Sequence, residues 1–258
     1  MNAFIKVGLF VLALIFFAAE LSAQIVMVED HRLQPDSSKW QGNVHFNFYN
    51  TRNINRIFTL STASDIQFTT GRHKILSTNQ FRLIVNIDSD GGSDENRGYQ
   101  HLRYNYQLNK MFTLEAFTQI QTDQVLRIGT RLLMGGGGRV TFFEEEEGFF
   151  HAGLTYMYEF EDELDNEIFH RHHRMSTYVS VRRAFNEKVN LAMVGYYQPR
   201  FDQFSDYRIS SGLDLGITIA TRFIFSFSVD VTYDSSPVQS EEIDNLTYSI
   251  SNGLNFTF

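Results

Sequence analysis

The sequence predicts an all-β chain, a transmembrane antiparallel up-and-down β-barrel of about twelve strands. Three observations lead there. From Trp40 onward apolar and polar residues alternate with period two, the spacing of a strand whose two faces meet different surroundings. The composition, 25 Phe and 12 Tyr against three Pro and one Trp, favours many strands over helices. After Ala23 no apolar run is long enough for a membrane helix. Insertion into a bilayer would therefore need a closed sheet, the other structure that satisfies its backbone inside hydrocarbon.

The chain opens with a segment that has the marks of a secretory signal. Lys6 supplies a positive start, Val7 to Ala19 is apolar, and Leu21-Ser22-Ala23 offers a small residue for cleavage before Gln24. The expected division is residues 1–23 as signal peptide, 24–39 as a polar lead, and 40–258 as the barrel. There is no cysteine, so neither a lipoprotein anchor nor a disulfide framework is available. The formal charge of −8 comes without a basic stripe, which argues against nucleic acid as a partner.

Alternation begins with Trp40, Val44, Phe46 and Phe48 and breaks at Asn50 to Asn55. Phe58, Leu60, Ile66 and Phe68 follow, then a turn at Gly71-Arg72-His73, then Phe81, Leu83, Val85 and Ile87 on the return strand. A polar loop begins at Asp88. Leu102, Tyr104, Tyr106 and Leu108 lead to a turn at Asn109-Lys110, and Phe112, Leu114, Ala116 and Ile120 come back. After Thr122 to Gln124, one face is expected to carry Leu126, Ile128, Leu132 and Met134, the other Arg127, Gly129 and Arg131. Glu144 to Glu147 turns the chain into Phe150, Leu154, Tyr156, Tyr158 and Phe160. Glu161 to Glu167 reads as a connection to a long strand, Phe169 to Phe185.

The carboxy-terminal part has the clearest pattern. Val189, Leu191, Met193 and Tyr197 precede a loop at Pro199 to Asp206. Ile209, Leu213, Leu215, Ile217 and Ile219 then alternate with polar residues, as do Phe223, Phe225, Phe227, Val229, Val231 and Tyr233 after a turn at Thr221. Beyond the loop Asp234 to Asp244, the last strand puts Leu246, Tyr248, Ile250, Leu254, Phe256 and Phe258 on one parity. Successive connections alternate between tight and longer, except at Thr122. That asymmetry is the one expected of outer-membrane barrels, with short turns inside and longer loops outside.

The segment Arg103-Tyr104-Asn105-Tyr106-Gln107-Leu108, the stretch Phe112 to Gln119, and Leu126-Arg127-Ile128-Gly129-Thr130-Arg131 running into Gly135 to Gly138 resemble the salt-induced outer-membrane protein family, a domain of unknown function. The resemblance spans roughly Trp40 to Phe185. It departs from the family's pattern at the acidic Glu144 to Glu147. It implies location and architecture but no established activity, and no functional residues come with it.

If the apolar parity faces lipid, Leu215, Ile217, Phe225, Phe227, Tyr248, Phe256 and Phe258 are lipid-facing. The lumen then receives Arg82, Arg103, Glu115, Arg127, Arg131, Arg174, Arg182, Arg208, Asp214, Arg222 and Asp230. Buried charges must be paired or hydrated, so these either brace the interior or line a wet passage, and both accounts stand at this point. Gly135 to Gly138 is no phosphate loop, because Arg139-Val140-Thr141-Phe142 follows where a Lys-Ser or Lys-Thr and a helix are needed. Crowding relief in a strand is the simpler reading.

His170, His172 and His173 suggest a metal, but Arg171 and Arg174 beside them would repel a cation, so no metal is assigned. A lipid hydrolase would need a serine touching an oriented histidine. Ser176 and His172 share a parity but sit four residues apart along one strand, too far to touch. No catalytic residue and no cofactor is assigned. The expectation is a non-enzymatic outer-membrane barrel of structural or small-solute passage role in a Gram-negative-type envelope. Its partners would be outer-membrane lipid and, through the last strand, the barrel-assembly machinery. A lipid-hydrolysing barrel and a soluble periplasmic ligand-binding barrel are the alternatives.

Overall fold

A computed structural model describes residues 39–88, 93–145, 147–164, 168–220, 222–237 and 244–256. The signal peptide, the polar lead up to residue 38, Thr221 and Phe258 lie outside the described residues. The strands are β1 (Trp40–Arg52), β2 (Arg56–Thr70), β3 (His73–Asn86), β4 (Ser93–Gln107), β5 (Phe112–Asp123), β6 (Ile128–Glu145), β7 (Gly148–Glu163), β8 (Phe169–Asn186), β9 (Val189–Pro199), β10 (Tyr207–Ala220), β11 (Phe223–Asp234) and β12 (Leu246–Phe256). They form one sheet in chain order, each strand antiparallel to its neighbours. The expected all-β, up-and-down architecture of twelve strands is what the chain adopts.

Connections sort onto two rims. The chain reverses between β2 and β3, β4 and β5, β6 and β7, β8 and β9, and β10 and β11 on one rim through mostly short connections, and between the other successive strands on the opposite rim through mostly longer ones. Two of the short turns use the same device. The Asn109 side-chain oxygen accepts from the Met111 and Phe112 amides at 2.8 Å each, and that of Asn186 accepts from Lys188 and Val189 at 2.8 and 3.0 Å. An asparagine carboxamide placed this way mimics a backbone turn and fixes where the strand reverses.

The sheet curls on itself. Tyr178 on β8 donates to Glu115 on β5 at 2.6 Å, and Arg208 on β10 donates to Glu159 on β7 at 2.5 Å, contacts that strands this far apart in a flat sheet could not make. Among the described residues no ladder joins β1 to β12. The two edges nonetheless line one cavity together, through His45 and Asn47 on β1 and Thr247 and Ser249 on β12.

Burial is inverted relative to a protein folded in water. Arg174 and Glu159 are 1% exposed, whereas Leu154 and Ile120 are 55% and 51% exposed. Alternation produces this directly, since a period-two strand sends every polar residue to one face and every apolar one to the other.

Two expectations fail locally. A register shift between β6 and β7 at Ile128 to Thr130 turns Ile128 inward with Arg131, so Ile128 is buried instead of sharing the outer face of Leu132 and Met134. A bulge inserts one residue and reverses parity beyond it. Glu161 is also not in a connection. β7 runs to Glu163, and its last carboxylates read as loop because they alternate on the polar face.

Candidate functional site

The interior divides into a packed side and an open side. On the packed side β7 carries Glu159, Glu161 and Glu163 at every second position, all buried on one face. Glu159 lies between Arg208, whose Nη1 donates at 2.5 Å, and Arg174, whose Nε is 3.4 Å away. Glu161 accepts from Arg131 Nε at 2.5 Å and is 3.5 Å from Arg208 Nη2. Arg208 also donates to Asp234 at 2.6 Å, and Arg174 reaches Asp206 at 3.0 Å. Each guanidinium thus meets at least one carboxylate, the condition on which charge is tolerated away from water.

The network continues into the connection 200–206, where Arg200 pairs with Asp206 at 2.8 Å and Asp202 at 2.6 Å. The hydrogen bond from Arg200 holds the Asp202 carboxyl at about 2. The same bond raises the Arg200 guanidinium above its ordinary value.

Nearer the short-turn rim is a second cluster. Glu115 lies 3.8 Å from Arg103 and 3.5 Å from Arg139, and accepts the Tyr178 hydroxyl. Arg103 stands 5.8 Å from the ring centres of both Phe117 and Tyr178. Tyr178 packs here because β7 has a glycine beneath it: a Cβ on Gly153 would lie 2.1 Å from the ring. Between the two clusters remains a cavity of about 40 Å³, room for a water or two.

On the open side β1 to β5 and β11 to β12 enclose a cavity of about 600 Å³, lined by Asn47, Arg82, Arg97, Asp123, Asp230 and Ser249 among others. Arg82 and Arg97 face one another in the β3–β4 register, and Asp123 is the partner of Arg97 on β5.

The sequence-derived candidates fall into three groups. Arg103, Glu115, Arg131, Arg174 and Arg208 are buried in the packed side. Arg82 and Asp230 line the open cavity; Asp214 is exposed and accepts from Ser228 at 2.5 Å; Arg182 is half-buried over the Phe149 ring. Arg127 and Arg222 belong to no strand. Arg127 sits in the connection 124–127 with φ of 55°, and Arg222 lies between β10 and β11, because parity counting cannot see where a strand stops. On the other parity Tyr248 and Phe256 are exposed, and Leu215, Ile217, Phe225 and Phe227 are half-exposed.

The acids that neutralise the packed side, Glu159, Glu161, Asp206 and Asp234, were absent from that candidate set. The period-two spacing of Glu159, Glu161 and Glu163 was the available signal. Among the described residues no three His, Asp or Glu side chains converge as metal ligands. His170 instead pairs with Glu163 at 2.7 Å. Ser176 accepts from Gln198 at 2.9 Å.

A family model described as "Protein of unknown function, DUF481" matches residues 58–258, from the start of β2 to the end of the chain. The chain belongs to the DUF481 family. The match reaches well past Phe185, so the carboxy-terminal strands of this DUF481 chain are matched together with the middle strands. No curated protein matches it.

Among solved structures this DUF481 chain is similar to a NanC porin, with 11% identity over 78% of this chain and 94% of that one and a TM-score of 0.47. It is also similar to a KdgM porin, with 10% identity over 85% and 99% and a TM-score of 0.39. A third match is the outer-membrane channel DcaP of Acinetobacter baumannii, with 7% identity over 85% and 98% and a TM-score of 0.32.

Proposed function

We propose that the chain is an integral outer-membrane β-barrel, non-enzymatic, whose open side passes small polar solutes while its packed side braces the wall. The inversion of burial carries this reading. A polar, ion-paired interior inside an apolar exterior is unfavourable in water and favourable in hydrocarbon. Leu215, Ile217, Phe225, Phe227, Tyr248, Phe256 and Phe258 face lipid in this reading, and the interlocked arginines and carboxylates around Glu159 and Glu115 face the lumen. Closure of β1 on β12 removes the two sheet edges, which hydrocarbon cannot satisfy. The rim with the longer connections then lies outside the cell, and export follows from the segment before Gln24. The finer family reading, a salt-induced outer-membrane protein, fits a barrel that meets the external medium directly.

The test is heat-modifiable gel migration of the membrane-extracted protein, followed by conductance in planar bilayers. A barrel that migrates differently after boiling and gives discrete conductance steps supports both halves of the proposal. Release from cells without detergent refutes the membrane reading. A heat-modifiable protein that never conducts leaves the bracing role and removes passage. Turnover of a phospholipid by the purified protein would contradict the non-enzymatic reading.

A further inference from the structure

The His170 to Arg174 stretch does not act as one patch. Alternation along β8 sends His170, His172 and Arg174 to the inner parity and leaves Arg171 and His173 exposed on the outer one. On a mostly apolar outer wall two neighbouring basic side chains need an explanation, because charge facing lipid is tolerated only near the headgroups. They sit in the right place for that. β8 begins at Phe169, at the rim with the longer connections, so Arg171 and His173 lie within the first turns of pleat below that rim.

Their surroundings are aromatic. Arg171 stands 6.0 Å from the centre of the Phe160 ring. The Tyr156 hydroxyl and His173 Nδ1 share a hydrogen bond of 2.5 Å, which leaves Nε2 as the ring nitrogen available outward. Tyr158 and Phe201 complete the group, with Tyr158 5.4 Å from the His173 ring and Phe201 6.2 Å from that of Tyr156. Among the described residues no carboxylate pairs with Arg171. The nearby Asp162 leans the other way, with its Oδ2 over Gly129 of β6. The other outward arginine on this strand, Arg183 near the opposite rim, behaves differently and has Glu145 at 3.7 Å.

We propose that Arg171 and His173, framed by Tyr156, Tyr158 and Phe160, bind the phosphate of a phosphorylated lipid headgroup in the leaflet at the long-connection rim. A guanidinium matches a phosphate with two parallel hydrogen bonds. An imidazole roughly 7 Å along the same strand face adds a donor to a neighbouring headgroup oxygen. Tyrosines at that level hold the ring body in the acyl region and the hydroxyl in the polar one. The site rests on the membrane reading above.

Full-length protein purified in detergent is titrated with lipid A, a phosphorylated glycolipid, and with phosphatidylcholine, and retained lipid is counted by native mass spectrometry. The wild type is expected to retain lipid A at least tenfold more tightly than an Arg171→Gln/His173→Gln double variant, with Arg171→Lys between them and Arg183→Gln unchanged. Heat-modifiable migration of every variant shows that it is folded. Equal retention of lipid A by wild type and double variant overturns the site and leaves the membrane barrel standing. A chain that retains neither lipid and is not heat-modifiable overturns the membrane reading and the site together. Saturable binding of inorganic phosphate at the affinity of lipid A overturns the assignment to a lipid.

Discussion

The two sides of the interior use charge in opposite ways. Around Glu159 and Glu115 the arginines and carboxylates are buried and interlocked, with Glu159 held by Arg174 and Arg208 and Glu115 held by Arg103, Arg139 and Tyr178. From β1 to β5 and β11 to β12 the same residue types border a cavity of about 600 Å³. Glu159 in the first setting is fixed between two buried guanidiniums, while Asp230 in the second is half-buried at the border of the cavity. The interior therefore has a packed wall and an open cavity, and the same substitution should have different consequences on each side.

The largest contrast is expected from a carboxylate-to-amide pair. Glu159→Gln removes one charge from between two buried arginines and is expected to destabilise by about 3 kcal/mol, the cost of breaking a buried pair from one side. Asp230→Asn, on the open side, is expected to stay within about 0.5 kcal/mol. Urea unfolding of both variants in micelles measures the difference. Equal losses would erase the distinction between the two sides.

Next comes Tyr178→Phe, which deletes the 2.6 Å hydrogen bond to Glu115 while leaving the ring against Gly153. A hydrogen bond to a charged group contributes about 1.5–3 kcal/mol. The same unfolding experiment should place this variant between the first two. A loss below about 0.5 kcal/mol would mean that Glu115 is held by its arginines alone.

A substitution on the open side should touch permeation and spare stability. Ser249 lines the large cavity from β12, and Ser249→Trp is expected to lower single-channel conductance by about half with an unchanged unfolding midpoint, because pore diameter limits flow. Conductance identical to the wild type would place the solute path elsewhere.

Strand number and pairing order were legible because alternation continues through almost every segment, and the turns are marked by glycine or by asparagines such as Asn109 and Asn186. The limits were equally physical. Parity counting assumes an uninterrupted pleat, so the bulge at Ile128 and the turns holding Arg127 and Arg222 escaped it. The basic half of the packed network showed in the sequence as arginines on the polar parity. Its acidic half did not, because Glu161 reads as loop, and Asp206 and Asp234 stand where strands meet connections. Ion pairs between β7 and β10 join residues far apart in sequence, and only the curl of the sheet brings them together. Crowding relief holds for the glycine run at Gly135 and Gly137, where a Cβ would run into the Tyr156 and Leu154 carbonyl oxygens of β7, and not at Gly138, where the nearest atom would be 3.9 Å away.

The smallest effect is expected where the packed network meets water, in the connection 200–206. Arg200 bridges Asp202 and Asp206, and its hydrogen bond holds Asp202 at about 2, below the ordinary aspartate value. A carboxylate depressed in the folded state stabilises fully above its unfolded value, near 3.9, and that contribution disappears as pH falls through about 2. Lowering pH from 5 to 2 should therefore loosen this connection, seen as faster amide exchange at residues 200–206. Asp202→Asn should exchange at pH 5 as the wild type does only in acid. If the two chains exchange alike at pH 5, Arg200 is anchored by Asp206 alone, and the packed side ends at the rim of the sheet instead of reaching into the loop above it.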